Sequence, residues 1–261
     1  MDLGIRGKTA LVTASSKGIG KAVATALASE GARVIVSSSN LDNIKSTEME
    51  LKQKGFDVYS YVCDLSKASD VVKLADEVLR DFGKIDILVF NTGGPKPGYF
   101  FELEEEDWYR AFELVLMSAV RLTKKLLPKM IDNGWGRIIY LTSVAVKEPI
   151  DELLLSNVFR SGVNALSKSL SRTIRKDNVT FNVIYTGNIQ TERAKGLLEY
   201  ISKKTEKPFE EVKKSMESSI PLGRYGSVEE IANFVTFLCS EKASYVNGTS
   251  IQVDGGFLRS I

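Results

Sequence analysis

Residues 8–31 read KTALVTASSKGIGKAVATALASEG. A short apolar run, KTALVT (8–13), leads straight into a glycine-bearing turn, TASSKGIG (13–20), and then into the helical pattern KAVATALASEG (21–31). The helix stops at Gly31, the residue type that most readily takes the left-handed conformation that closes a helix. Strand, glycine turn and helix in this order open a parallel sheet, because neighbouring parallel strands need a crossover helix between them.

The same unit recurs along the chain. Further strand candidates are RVIVSS (33–38), VYSYVC (58–63), DILVFN (86–91), RIIYLT (137–142), TFNVIY (180–185) and SIQVD (250–254). They are β-branched and mostly apolar on both faces, as a sheet covered on both sides requires. Helical patterns lie between them at 41–55, ending in Gly55, and at 70–83, 107–130, 155–176 and 227–241. Ser227 and Glu230 have the spacing of a capping box. Pro128 predicts a bend near the end of the long helix. The alternation shows no repeat, low-complexity tract or linker. It predicts one α/β domain over 1–261, a doubly wound sheet of about seven parallel strands with helices on both faces. Segment 192–220 breaks the alternation with two amphipathic pieces, one on Leu197, Leu198 and Ile201, the other on Phe209, Val212 and Met216. It reads as a substrate lid or as an insertion packed on the sheet edge; the lid is carried forward as the expectation.

Composition narrows the function classes. Apolar residues at 43% and charged residues at 26% fit a soluble globular chain. Net charge is +2 with both signs interspersed, so neither nucleic acid nor an anionic membrane is an expected partner. The first residues lack a signal-peptide core, which predicts a cytoplasmic protein. Cys63 and Cys239 stand alone, without metal or redox spacing, and read as reduced core residues; no metal site is expected. The chain contains 0 histidines. Any proton carrier must therefore be Asp, Glu, Lys, Tyr, Cys or a group on a cofactor.

Gly18 and Gly20 let backbone approach a ligand, and the helix N-terminus beside them favours an anion such as a pyrophosphate. The spacing is not G-x-G-x-x-G, so position carries the reading: this is the first strand-to-helix turn of a doubly wound sheet. The residue that would accept the adenosine ribose hydroxyls of NAD falls in Ser37-Ser38-Ser39. No carboxylate stands there to repel a 2′-phosphate, and Lys17 could pair with one, which favours NADP(H) over NAD(H).

These features, together with CDL (63–65), NTGG (91–94), GRIIYLTS (136–143) and the tail PLGRYGSVEEIANFVTFLCSEKASYVNGTSIQVDGG (221–256), resemble the short-chain dehydrogenase/reductase family along the whole chain. The likeness leans to carrier-protein reductase-like and sugar or polyol dehydrogenase-like members, with a Rossmann-like fold. It implies that Ser16, Lys17 and Ile19 line the cofactor beside Gly18 and Gly20, with Ser38 at the adenosine end. Asp64 and Leu65 would meet the adenine, and Asn91, Thr92 and Gly93 the ribose region. Ile189 and Thr191 would reach the nicotinamide carboxamide and the phosphates. Ala14, Thr92 and Thr186 stand where the family more often has glycine, alanine and proline. A homotetramer is implied by resemblance alone.

The resemblance also exposes a departure. The family's catalytic serine is matched by Ser143. Its tyrosine falls at Ser156, its lysine at Arg160 and its helix asparagine near Val115, so SNVFR (156–160) stands where Tyr-x-x-x-Lys is expected. Spacing of four keeps Ser156 and Arg160 on one helix face. A guanidinium cannot serve as a base, but it can bind ribose hydroxyls or a developing oxyanion. Ser143, Ser156 and Arg160 are the catalytic candidates, Arg160 also touching the cofactor. Tyr185, Glu148, Asp151 and Glu152 are candidate substitute proton donors. Lys96 and Tyr99 lie on a loop that borders the pocket, and Trp108 and Trp135 read as packing residues. The expected function is an NADP(H)-dependent oxidoreductase of a small carbonyl or alcohol with a non-standard proton donor. The alternatives are a cofactor-binding sensor or interaction protein and, more weakly, a lyase or isomerase.

Overall fold

A computed structural model describes residues 1–175 and 178–260. Seven strands form one sheet: β1 (Thr9–Val12), β2 (Arg33–Ser38), β3 (Val58–Val62), β4 (Ile87–Phe90), β5 (Gly136–Ser143), β6 (Val179–Thr186) and β7 (Ser250–Val253). Their order is β3-β2-β1-β4-β5-β6-β7 and every neighbouring pair is parallel. The doubly wound α/β architecture expected from the sequence is therefore the one observed.

Alternation within β1 shows why both faces must be covered. Ala10 and Val12 join the core under α1 (Gly18–Ser29), α2 (Leu41–Gln53) and α9 (Val228–Leu238). Leu11, between them, points into the opposite core under α3 (Ala68–Phe82), α5 (Ser118–Asp132) and α6 (Leu154–Thr173). Each fully buried Val, Leu or Ile contributes roughly 1.5–3 kcal/mol, so losing the helices on either side would expose a large apolar face. The sheet also separates the two thiols. Cys63 packs in the α3 core and Cys239 in the α9 core, and both are free.

Helix ends follow the sequence signals closely. Gly31 and Gly55 take φ of 84° and 81° just past α1 and α2. Ser227 and Glu230 form the reciprocal capping box at the start of α9. The long helix departs from expectation. It runs as α4 (Glu105–Ala111), widens into a π-helical segment over Phe112–Met117, and continues as α5 through Pro128 to Asp132. The irregularity thus lies well before the proline, around Val115. The helix expected over 155–176 ends at Thr173, and Lys176 lies outside the described residues.

Segment 192–220 forms α7 (Glu192–Thr205) and α8 (Phe209–Ser218). They share a small core of Leu198, Val212, Ile220 and Tyr225, with Ile201, Phe209 and Met216 packed against it. The far end of α7 touches the loop after β4: Lys204 Nζ lies 3.7 Å from Glu102 and 4.3 Å over the Tyr99 ring. β1 and β4 are neighbours from which the chain winds in opposite directions, so a crevice opens at their C-terminal ends.

Candidate active site

That crevice is a groove of ≈ 410 Å³. Ser16, Lys17, Gly18, Ile19, Ser38, Asp64, Leu65, Asn91, Thr92, Gly93 and Thr191 all line it, so the structure brings together eleven positions singled out in the sequence. The glycine turn is built under tight constraint. Gly18 has φ of 56°, and a Cβ on it would touch the Thr191 methyl at 3.5 Å. A Cβ on Gly20 would lie 2.4 Å from the Ala14 carbonyl oxygen. Gly20 therefore does not line the groove; it lets the turn fold back on itself. Ala14 holds φ of 46°, a left-handed conformation that favours glycine.

Neighbouring side chains hold the turn in place. Asn91 Nδ2 donates to the Ala14 carbonyl at 3.2 Å, and its backbone N–H donates to Thr13 Oγ1 at 2.9 Å. At the β2 end Ser16 donates to Ser38 Oγ at 3.1 Å, giving a wall of hydroxyls without a carboxylate. Asp64 Oδ1 accepts both the N–H (3.0 Å) and the hydroxyl (2.7 Å) of Ser66. Burial pushes its carboxyl pKa up, but these bonds outweigh burial and hold it below the ordinary value. Thr191 caps α7 by accepting from Ala194 N at 3.1 Å, which seats the start of α7 beside the glycine turn.

Ile189 is placed differently from the other positions. Its side chain is buried in the first core, so only its backbone can reach a ligand. The bonds that tie this stretch to Gly226 run from Gln190 N–H and to the Asn188 carbonyl, bypassing Ile189's own polar groups.

Ser156 and Arg160 lie together just behind the groove, and Ser143 follows two residues after the Leu141 carbonyl that Arg160 binds. Ser156 is 5% exposed and Arg160 9%, so neither is a surface residue. Arg160 donates from Nε to Ser156 Oγ (3.0 Å), from Nη1 to the Leu141 carbonyl (3.0 Å) and from Nη2 to Thr92 Oγ1 (3.3 Å). Spacing of four along α6 makes the first of these bonds, as the sequence reading expects. Burial, and secondarily repulsion from Arg193, lower the guanidinium pKa to about 10. It is still fully charged at neutral pH. Ser143, at the end of β5, accepts the Ala145 N–H at 3.2 Å. Val115, near which the resemblance places the family's asparagine, is buried in the α5 core.

Of the candidate substitute donors, Glu148 and Glu152 are held by other partners. Tyr185 is buried in the core under α5 and α6. Glu148 accepts the backbone N–H groups of Arg259 (2.9 Å) and Ser260 (2.8 Å), which hold its carboxyl below the ordinary pKa. Glu152 accepts the Tyr99 hydroxyl at 3.0 Å, and Asp151 is exposed in a turn. Lys96 pairs with Asp107 at 2.6 Å. Trp108 packs edge-on against Phe159, and Trp135 is covered by the Arg137 guanidinium at 4.4 Å. Among the described residues no three His, Cys, Asp or Glu side chains converge as metal ligands. No helix among them is long and apolar enough to cross a membrane.

The topology, the glycine turn at the β1/β4 crevice and Ser143 at the end of β5 match one group of known proteins. A family profile described as Enoyl-(Acyl carrier protein) reductase matches residues 13–258. The chain belongs to the short-chain dehydrogenase/reductase family. It is 34% identical over 257 residues to the 3-oxoacyl-[acyl-carrier-protein] reductase FabG of Aquifex aeolicus, covering 98% of this chain and 99% of the relative. It is also 34% identical over 266 residues to the uncharacterized oxidoreductase YvaG of Bacillus subtilis, covering 100% of each. Among solved structures, the L-sorbose reductase of Gluconobacter frateurii complexed with NADPH and L-sorbose matches with a TM-score of 0.95. That pair is 35% identical and covers 100% of both chains.

Within this family fold, several groove residues escaped the sequence reading. Arg110 on α4, Leu114 on the π-helical segment and Arg193 in the first turn of α7 also line the groove. Arg193 left a weak signal: a cation in the first turn of a helix, here beside Glu192, runs against the helix dipole. A larger cleft of ≈ 990 Å³ lies between α1, α9 and the α7–α8 pair. It shares only the Gly18 and Thr191–Glu192 edge with the groove and holds none of Ser143, Ser156 and Arg160.

Proposed function

We propose that this protein is an NADP(H)-dependent oxidoreductase acting on a small carbonyl or alcohol, with its proton path rebuilt around Ser143, Ser156 and Arg160. The observation that carries the proposal is the buried Arg160–Ser156 bond at the end of the cofactor groove. The pocket fits the dinucleotide. A Cβ on Gly93 would meet nothing within 4 Å, so the groove is open where a ribose needs room, whereas Gly20 is closed off by backbone. Lys17 and the hydroxyls of Ser16 and Ser38 would hold the 2′-phosphate. The first turn of α1 and Thr191 would hold the pyrophosphate, Asp64 and Leu65 the adenine, and Asn91 to Gly93 the ribose. The NADPH complex of the sorbose reductase supports this choice of cofactor.

Bound NADPH supplies a hydride to the carbonyl carbon, and the carbonyl oxygen must gain a proton. Ser143 Oγ accepts from Ala145, so its own proton is free for the substrate oxygen. Ser156 Oγ accepts from Arg160, so its proton is likewise free. Ser156 passes this proton to the oxygen and is resupplied from groove water. Arg160 does not change protonation; its fixed charge favours the oxygen as negative charge develops. The helices α7 and α8 close the groove as a lid.

The test is a carbonyl panel with NADPH on the wild type and on Arg160→Ala, with NADPH binding followed by fluorescence. Turnover that falls by about 100-fold or more in the variant is expected. Cofactor binding without turnover on any carbonyl would replace the enzyme by a cofactor-binding protein. The double change Ser156→Tyr with Arg160→Lys should restore the family's ordinary proton path and retain or raise activity.

A further inference from the structure

Two guanidiniums meet at one turn of the groove. Arg160 reaches it from α6 and touches Thr92 Oγ1 at 3.3 Å. Arg193 reaches it from α7 and lies across Gly94, where a Cβ would fall 1.6 Å from Nη2. Only glycine at 94 leaves room for this approach. Arg193 is exposed as a residue, but its guanidinium lies in against Gly94, and loss of water there lowers its pKa. The two cations border the same Thr92–Gly94 turn, and neither forms a salt bridge among the described residues, although Asp64 and Glu192 also line the groove. Burying a cation without a counter-ion is costly, and setting a second beside it, in the first turn of a helix, adds to that cost. The arrangement is relieved by a bound anion.

The cofactor's own phosphates would have other partners in the reading above. Lys17 and the Ser16–Ser38 hydroxyls stand at the adenosine end, and the α1 N-terminus and Thr191 at the pyrophosphate end. Arg160 lies beyond them, beside Ser156 and the Leu141 carbonyl of β5. A planar guanidinium matches a carboxylate with two parallel hydrogen bonds. Resting on the oxidoreductase reading above, we propose that the substrate is an oxo acid whose carboxylate is received by Arg193, with Arg160 completing the cationic end of the groove. The carboxylate ties α7 to the Thr92–Gly94 turn, so the acid group of the substrate also holds the lid.

The experiment compares short α-oxo and β-oxo acids with their methyl esters, using wild type and Arg193→Gln. Wild type should favour the acids over the esters by about 100-fold in kcat/KM. Arg193→Gln should lose roughly 30-fold or more on the acids, chiefly through KM, and at least about tenfold less than that on the esters. NADPH affinity should stay within about twofold in the variant. Equal rates on acids and esters would overturn the proposal. So would a tenfold or greater loss of NADPH affinity, of the order of 1.4 kcal/mol, with the acid preference intact, because Arg193 would then serve the cofactor's phosphates. A calorimetric titration with oxalate, with and without NADPH, does not depend on turnover. Saturable binding to wild type that is lost in Arg193→Gln supports the site even if no carbonyl is reduced. No binding to either protein overturns it. Failure of NADPH to bind, with oxalate binding kept, would fault the cofactor reading and leave the anion site standing.

Discussion

Arg137 and Arg160 are both buried arginines on or behind the central strands, yet their surroundings differ. Arg137, at the start of β5, is 0% exposed and closed in on all sides. Its guanidinium donates to the carbonyls of Ser240 (3.1 Å), Gly136 (2.9 Å) and Asn178 (2.8 Å) and to Asn178 Oδ1 (2.9 Å), and it stacks on Trp135. Arg160 donates to one carbonyl and to two hydroxyls, one of which, Thr92, lines the groove, and it faces a second cation. A buried charge enclosed by acceptors ties the fold together. One left partly open, with a like charge beside it, is held for a ligand.

The sharpest way to break this contrast is to make the same substitution at both sites. Arg137→Met strips the donor from the buried carbonyls of Ser240 and Gly136, each costing about 1–3 kcal/mol when left unpaired, and from Asn178. We expect a loss of roughly 3–5 kcal/mol and a fall in Tm of about 8–15 °C, measured by thermal unfolding. Arg160→Met removes a cation that forms no salt bridge among the described residues and has one partner, Thr92, lining the groove. Its Tm should stay within about 3 °C while turnover falls by about 100-fold or more. Equal destabilisation at the two sites would make Arg160 a structural residue and erase the distinction.

Gly93→Val tests the open side of the groove. Its Cβ enters empty space, so Tm should hold, while the added methyls would enter the position proposed for the ribose. NADPH affinity should fall by about tenfold or more in a fluorescence titration. Unchanged affinity would mean that the dinucleotide does not pass Gly93. The smallest effect is at the glycine turn. Ala14 is held at φ of 46°, so Ala14→Gly should stabilise the fold by about 0.5–1 kcal/mol, read as a Tm rise of about 2 °C. A drop in Tm would show that the turn's geometry is not a source of strain.

The sequence alone determined the sheet, its glycine turn and eleven of the positions around the groove. Strand and helix periods, Gly31 and Gly55 as helix stops and the Ser227–Glu230 cap are local features, set by backbone sterics and short-range hydrogen bonds. SNVFR was legible for the same reason: spacing of four on a helix puts Ser156 beside Arg160 wherever the helix goes. What only the tertiary structure decided concerns residues far apart in the chain. The burial of Arg137 against Asn178 and Ser240, the side chain of Ile189 turning into the core, and Arg193 crossing from α7 to Gly94 all depend on which strands become neighbours. Local pattern says that a cation is present. Only the folded arrangement fixes which acceptors enclose it and which face it leaves unpaired, because that balance is struck between segments that meet through the sheet.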